Sequence, residues 1–179
     1  MVEEFGIVER SMHGFPGHIS VIIDAEGKEM LGSLKENLLR DNPMVSAIFL
    51  NAKTWGHCKE AAEWARKNNL RIGLRADEMK LEEIKAALDS GLVEFVRLGV
   101  KKEPEIKKKA GIIRNSGIKH EFVFGLDDND SSKAEEAYLL VSPCDSFVVE
   151  MHPKLKDETK NNLMELATKY KSLFLRLYK

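Results

Sequence analysis

The sequence contains little that is typical of an exported protein. Only two of its 179 residues are cysteines, Cys58 and Cys144, and neither belongs to a Cys-x-x-Cys pair. They can form one disulfide at most, and nothing else in the sequence indicates secretion. The chain begins Met1-Val2-Glu3-Glu4, with acids where a signal peptide carries basic residues. We therefore expect a reduced, cytoplasmic protein.

A large excess of one charge and long apolar runs are also missing. The chain has 28 Lys and Arg residues against 29 Asp and Glu residues. Without a basic field, binding to nucleic acid or to an anionic membrane is not expected. No apolar stretch approaches the roughly 18 residues that a transmembrane helix needs. With 43% hydrophobic and 32% charged residues the chain is expected to be globular, and its many Lys and Glu residues are typical of thermophile proteins.

Seven short runs rich in Val, Ile, Leu and Phe predict β-strands. Most carry polar residues only at their ends, as strands buried on both faces do. Their first residues lie 24 to 27 positions apart, which leaves room for a helix and two short loops after each strand. This spacing predicts repeated βα units with a parallel sheet. The runs are His18–Glu26, Val45–Lys53, Leu70–Asp77, Glu94–Lys101, Lys119–Leu126, Ser146–His152 and Ser172–Tyr178.

The segments between these runs have the periodicity of helices that pack on a sheet. Glycine follows two of the predicted helices, at Gly91 and Gly117, where a left-handed residue commonly ends a helix. Asn69 can play the same part after an earlier helix. One narrow apolar stripe consists of small residues and predicts close packing on the sheet. Its members are Cys58, Ala61, Ala62 and Ala65.

We expect one α/β domain over residues 1–179, with residues 1–17 as an extension before the first strand. About six βα units and a seventh strand are too few for an eight-unit barrel. The pattern alone leaves open a partial TIM-type barrel and a doubly wound sheet. Of these two arrangements we expect the partial barrel.

Five segments in different βα units carry recognisable motifs. They are residues 12–23, 67–74, 90–101, 116–122 and 174–177, and they include a Pro-Gly turn before the first strand and Ser-Gly-Ile before the fifth. In this order they resemble stretches of radical-SAM activating enzymes, such as those that act on anaerobic ribonucleotide reductase and pyruvate formate-lyase. The similar segments cover nearly the whole chain without large gaps, so the scaffold resembles that of the family.

The motif that binds the family's cofactor is absent. Members of the family carry a CxxxCxxC loop after the first strand, whose three thiolates bind a [4Fe–4S] cluster. The corresponding loop here is 27–35, with Lys28, Gly32 and Lys35 at the spacing of the three cysteines. Neither an ammonium group nor a glycine can replace a thiolate. We therefore expect no iron–sulfur cluster and no other cofactor.

Two further motifs of the family are replaced. Its Gly-Gly-Glu-Pro, which contacts the amino group of S-adenosylmethionine, corresponds to residues 51–54, with Lys53 in place of the glutamate. Its Asp-Thr-Asn-Gly corresponds to residues 75–78, which read Arg-Ala-Asp-Glu. The resemblance therefore implies a pseudoenzyme without SAM chemistry, which binds a small ligand or a protein partner.

Charged side chains follow most of the predicted strands, where ligands bind in parallel βα folds. Lys53, Arg75, Arg97 and Lys101 offer donors to phosphate or carboxylate, and Asp77 lies among them. These five residues are the predicted ligand-binding set. The alternative is a row of solvated strand ends paired with one another. The full group is Asp24, Glu26, Asn51, Lys53, Arg75, Asp77, Arg97, Lys101, Asp127, Asp128, Glu150 and His152.

The candidate catalytic residues are Glu150, His152 and Asp24. Glu150 and His152 are two positions apart on one strand and therefore point to the same face. Together they can act as acid and base, or bind a metal with Asp24, or form a structural pair. His13 and His18 flank a Pro-Gly turn, and we expect them to cap or line a surface. No metal site is predicted.

Three other features favour structural interpretations. Cys58 stands near a helix N-terminus, where a thiol can be activated, but its place on the small-residue stripe predicts burial. Cys144 has no partner that the sequence identifies. The run Lys107–Lys109 has no aromatic residues interleaved for stacking on bases, so it is expected to be a solvated helix face.

Three functional hypotheses follow. The first is the radical-SAM-like pseudoenzyme. The second is a small α/β-barrel enzyme that uses strand-end Lys, Arg, Asp and Glu residues on an anionic or phosphorylated small molecule. The third is a structural or interaction protein, with a protein partner or a second copy of the chain. An anionic small molecule is thus a predicted ligand, whereas nucleic acid and membrane are not predicted partners.

Overall fold

The computed structural model describes residues 19–24, 44–101 and 103–177, and in these ranges seven strands alternate with five helices. The strands are β1 (Ile19–Asp24), β2 (Val45–Asn51), β3 (Arg71–Arg75), β4 (Phe95–Gly99), β5 (Lys119–Leu126), β6 (Ser146–Met151) and β7 (Leu173–Leu177). The helices are α1 (Trp55–Lys67), α2 (Leu81–Asp89), α3 (Ile106–Asn115), α4 (Ser132–Val141) and α5 (Asp157–Lys169). The loop 27–35, His13 and His18 lie outside the described residues.

All six strand pairs are parallel, and the strands follow one another in the order of the sequence. A doubly wound sheet reverses its strand order at a switch point, which places helices on both faces. With a sequential order and right-handed crossovers, every helix lies on the same face and the sheet curls. The predicted α/β fold, a partial TIM-type barrel of repeated βα units, is confirmed.

The main core lies between the helices and the outer face of the sheet. Strand residues such as Ile48, Leu74 and Phe122 alternate toward this layer and are fully buried. The helices meet them with apolar stripes at intervals of three and four residues. The small-residue stripe of α1 is confirmed, because Cys58, Ala61, Ala62 and Ala65 are all buried.

Three helices end at the residues that the sequence predicts. Asn69, Gly91 and Gly117 follow the ends of α1, α2 and α3 with φ angles of 58°, 67° and 71°. At the two glycines a side chain would be strained, which explains the choice of residue. Ser90 and Ser116 precede these glycines, and each hydroxyl accepts a hydrogen bond from the backbone N–H two residues further on.

The inner face of the sheet has two parts. Near the amino ends of the strands it carries a small apolar cluster, in which the rings of Phe49 and Phe95 meet edge to face at 5.7 Å. Gly73 lies on the strand between them, and its missing side chain leaves the space that the ring of Phe49 fills. Toward the carboxyl ends the apolar residues give way to charged ones.

Both cysteines are free thiols. Cys58 is buried, which confirms the structural interpretation. Burial also raises the pKa of the Cys144 thiol, and this effect exceeds the opposing hydrogen bond with Ser172. In the described ranges, no helix has both the length and the apolar character needed to cross a membrane.

Candidate functional site

Four charged side chains on consecutive strands share the inner face of the sheet. They alternate along each strand with residues that enter the helix layer, so their orientation follows from the pleat. On β4, for example, Arg97 lies between Val96 and Leu98, both of which are buried in the main core. We call the four residues the arginine–glutamate cluster. Its members are Arg97, Glu121, Glu150 and Arg176.

Each glutamate of the cluster faces both arginines. Glu150 Oε1 lies 2.8 Å from Nη2 of Arg97 and 3.2 Å from Nη1 of Arg176. Glu121 approaches Arg97 Nε at 3.9 Å and Arg176 Nη2 at 3.4 Å. Side-chain exposure rises from 4% for Glu121 through 15% for Arg97 and 17% for Glu150 to 33% for Arg176. The cluster is therefore charge-balanced, and it is open to solvent on one side.

Arg75 lies beside this cluster. Its Cα is paired in register with that of Arg97, so two guanidinium groups lie on neighbouring strands and on the same face. Nη2 of Arg75 is 3.5 Å from Oδ2 of Asp77, and Oδ1 of Asp77 accepts a hydrogen bond from the N–H of Gly99. The Nε atom of Arg75 is buried and has no hydrogen-bond partner in the described part of the chain.

Two predicted members of the ligand-binding set lie away from this group. Lys53 follows β2 and is 63% exposed, with its ammonium group 3.8 Å from a carboxylate oxygen of Glu78. Lys101 follows β4 but lines a groove between α3 and α4, on the helix side of the sheet. Val100, just before it, is buried in the helix layer, and the chain turns outward from there. The four predicted cations therefore do not converge on one mouth.

The candidate catalytic residues also separate. Glu150 belongs to the arginine–glutamate cluster, whereas His152 follows the end of β6 and its Nδ1 accepts a hydrogen bond from the backbone N–H of Lys154. No hydrogen bond joins Glu150 to His152 within the described ranges. The backbone of Asp24 ends β1, in register with Asn51 of β2, and its side chain is not among those described.

Two members of the cluster, Glu121 and Arg176, are not among the residues predicted from the sequence. Neither residue is at the carboxyl end of a predicted strand: Glu121 is the third residue of the fifth one, and Arg176 lies between Leu175 and Leu177. A signal was present, however: each of the last four strands carries one or more charged residues in line with apolar neighbours. Charge inside a strand that is otherwise fully apolar indicates an interior polar group, because burying an unpaired charge is costly.

The described part of this inner face contains no metal site. In residues 19–24, 44–101 and 103–177, no group of three His, Cys, Asp or Glu side chains is arranged to hold a metal ion. Two cavities lie between helices in the same ranges, one between α4 and α5 and one between α3 and α4. Both lie among the helices, on the opposite side of the sheet from the cluster.

The fold has a counterpart among solved structures. The chain is similar to the crystal structure of the 3-dehydroquinate dehydratase from Aquifex aeolicus VF5, with a TM-score of 0.57 and 11% sequence identity. The match covers 89% of this chain and 77% of that one. At this identity the similarity shows a shared TIM-barrel type of fold. The sequence itself matches no family model and no curated protein.

The predicted resemblance to radical-SAM activating enzymes is wrong. The structural match is to a dehydroquinase barrel, and no family model supports a radical-SAM assignment. The hypothesis of a radical-SAM-like pseudoenzyme depended on this resemblance and is therefore also wrong. The short matches arose because repeated βα units share apolar strands and a glycine after each helix, whatever their family.

Proposed function

We propose that this protein binds a small molecule bearing a carboxylate or phosphate group, at the carboxyl ends of the strands and on the inner face of the sheet. One observation carries the proposal: the Nε atom of Arg75 is buried without a hydrogen-bond partner in the described residues, beside a second guanidinium group. An unpaired buried donor is unfavourable by about 1–3 kcal/mol, and more when it is charged. An anionic oxygen would remove that cost.

The geometry around Arg75 supports an anion rather than a cation. Its side chain is 29% exposed, although the Nε atom itself is buried, so part of the side chain is open to a ligand. The 3.5 Å contact to Asp77 is looser than a usual charge-assisted hydrogen bond, and the other oxygen of Asp77 is held by Gly99. A small turn of the guanidinium group would present two parallel N–H donors, the arrangement that suits carboxylate and phosphate.

The neighbouring charges set the limits of the ligand. Glu121 and Glu150 balance Arg97 and Arg176, so the arginine–glutamate cluster adds no net charge to the site. The ligand therefore needs one anionic group for Arg75, and its remainder should carry hydroxyl or carbonyl groups for the cluster. The fold neighbour supports this class of ligand, since the name of that enzyme refers to 3-dehydroquinate, which is a carboxylate.

A second candidate function is catalysis of proton transfer on that ligand, with Glu150 as acid or base. Both arginines contact Oε1 of Glu150, and Oε2 takes part in neither of these contacts. A carboxylate held by one oxygen, with the other directed elsewhere, is suited to exchange a proton with a neighbouring group. In this version the protein is an α/β-barrel enzyme that acts on an anionic substrate.

The test compares two arginines of the same strand. Arg75→Gln removes the proposed anion-binding group, and Arg71→Gln is its control, because Arg71 lies on the same strand and also pairs with an acid, Glu94. Binding of inorganic phosphate and of 3-dehydroquinate should be measured by calorimetry, with glucose as a neutral probe. We expect Arg75→Gln to weaken anion binding by about tenfold or more, and Arg71→Gln to leave it unchanged. Equal affinities in the two variants, or no anion binding by the wild type, would contradict the proposal.

A further inference from the structure

A groove between α3 and α4 lies apart from the inner-face site. Its volume is about 350 Å³, and it is reached from the helix side of the sheet. The ring of Phe124 on β5 packs against the main core but is only partly buried at this place. The apolar residues that line the groove are Val100, Pro104, Ile106, Phe124, Ala137 and Leu140.

The rim of the groove carries charged side chains, some of which form ion pairs and some of which do not. Glu103 lies 2.8 Å from Nζ of the buried Lys109, and Lys133 pairs with Asp128. Lys101 and Lys107 are exposed, and neither forms an ion pair with another residue in the described ranges. Two ammonium groups therefore lie at the mouth of an apolar cleft, whose lining also includes the acid Glu136.

We propose that this groove binds a medium-chain aliphatic carboxylate. The hydrocarbon chain lies on Phe124 and Leu140, and the carboxylate lies at the rim, between Lys101 and Lys107. The apolar lining excludes a fully polar ligand, because such a ligand would lose its hydration without gaining hydrogen bonds. The positive rim selects an anionic end group over a neutral one.

The size of the groove selects a small molecule over a protein segment. Pockets for small ligands have volumes of about 300–1,000 Å³, so this groove lies at the lower end of the range. That space suits a single extended chain of several methylene groups, whereas a partner helix needs a longer open surface. Each additional methylene that becomes buried should tighten binding by about fourfold.

The first experiment measures binding of butanoate, hexanoate and octanoate to the full chain, by calorimetry or ligand-observed NMR. Octanoate is used below its micelle concentration, and 1-octanol serves as the uncharged probe. We expect affinity to rise with chain length and octanoate to bind more tightly than 1-octanol. Absence of octanoate binding, or equal binding of the three acids, would overturn the proposal.

Two matched pairs of variants locate the site. Leu140→Trp fills the groove and should abolish octanoate binding, whereas Leu139→Trp, an exposed neighbour on the same helix that does not line the groove, should not. The double variant Lys101→Ala/Lys107→Ala should weaken octanoate binding by roughly 3- to 10-fold, and Lys108→Ala should not. The lysine variants change exposed side chains only, so they decide the question even if Leu140→Trp fails to fold.

Other occupants of the groove would give distinct results. Equal octanoate affinity in the two tryptophan variants would exclude the groove as the binding site. Equal affinity in the wild type and in Lys101→Ala/Lys107→Ala would exclude recognition of a carboxylate at its rim. A third result is a wild type that fails to bind octanoate and yet self-associates in light scattering, with the association absent in Leu140→Trp. That combination would assign the groove to contact between copies of the chain and would overturn the proposal. A failure of anion binding at Arg75 affects neither outcome, because the two sites lie on opposite sides of the sheet.

Discussion

Nη2 of Arg97 on β4 lies 2.8 Å from Oε1 of Glu150 on β6, so a salt bridge spans the intervening strand. Glu121 on that strand is almost fully buried and faces Arg97 as well. The inner face is thus held by side-chain contacts in addition to the backbone hydrogen bonds of the sheet. Since each glutamate faces both arginines, removing one arginine leaves two partly buried carboxylates beside a single guanidinium group.

Replacing Arg97 by Ala should lower the free energy of unfolding by about 1–3 kcal/mol, because Glu121 and Glu150 lose a charged donor. Replacing both Arg97 and Glu150 should cost less than the sum of the two single changes. Denaturant unfolding of the four proteins in a double-mutant cycle measures this coupling.

The exposed pair Arg71–Glu94 is the control for that cycle. Its N–O distance of 2.8 Å equals that of Arg97–Glu150, but its side chains are 44% and 40% exposed. Its coupling should be about 1 kcal/mol or less, because solvent screens the interaction. Equal coupling energies for the two pairs would mean that burial on the inner face adds nothing to the salt bridge.

Gly73→Ala should destabilise the protein by about 1–3 kcal/mol, because the core has no room for another atom. A Cβ at this position would lie 2.6 Å from Cδ1 of Phe49, far closer than carbon atoms normally approach. Gly125 is the matched control, a strand glycine with open space where a Cβ would stand. Gly125→Ala should leave stability unchanged or slightly raised. Thermal and denaturant unfolding of the two variants test this contrast.

Most of the fold could be predicted because its signals are local. The regular spacing of the apolar runs located all seven strands, and β5 was predicted with the correct limits, Lys119–Leu126. Gly91 and Gly117 marked two helix ends correctly, since few other residues tolerate a positive φ. The strand order, which separates a curled sheet from a doubly wound one, could not be read from spacing because it depends on how distant units pack.

The site was predictable only in part, because pairing between distant strands leaves little trace in sequence. Arg75, Asp77, Arg97 and Glu150 were identified from their strand-end positions, and the structure groups them on or beside the inner face. Lys101 was assigned to the same mouth but lies on the helix side. The side to which the chain turns after its strand depends on burial of the next residues, and the strand-end pattern carries no information about that.

Lowering the pH should weaken the contact between α4 and the end of α5 through Glu135. Hydrogen bonds from Lys169 Nζ and Tyr170 Oη, at 2.7 and 2.6 Å, hold the pKa of this carboxyl below its ordinary value of 4.5. Its stabilising contribution is therefore complete above pH 4.5 and is lost as pH falls through the lowered pKa. Glu135→Gln should flatten the fall of Tm in this acid range, and Glu165→Gln, on the same cavity, should not. Equal pH profiles for the two variants would contradict this assignment.

The two thiols should differ sharply in their accessibility. Cys58 lies in the first turn of α1 but has no exposed surface, so it should react with iodoacetamide only after the protein unfolds. Cys144 is partly exposed, and burial raises the pKa of its thiol above the ordinary value of 9.0. At pH 8 its thiolate fraction is therefore lower than that of an unfolded cysteine, and its alkylation should be slow and should accelerate at higher pH.

The variants Cys58→Ala and Cys144→Ala each leave one thiol, so that mass spectrometry can follow the two reactions separately. Alanine at position 58 suits the small-residue stripe of α1 and should preserve its packing, which makes the variant a fair control for folding. In native Cys58→Ala the remaining thiol should be modified slowly, and in native Cys144→Ala no modification should occur without denaturant. Rapid alkylation of Cys58 in the native protein would contradict this prediction, because it would mean that the buried face of α1 opens to solvent without denaturant.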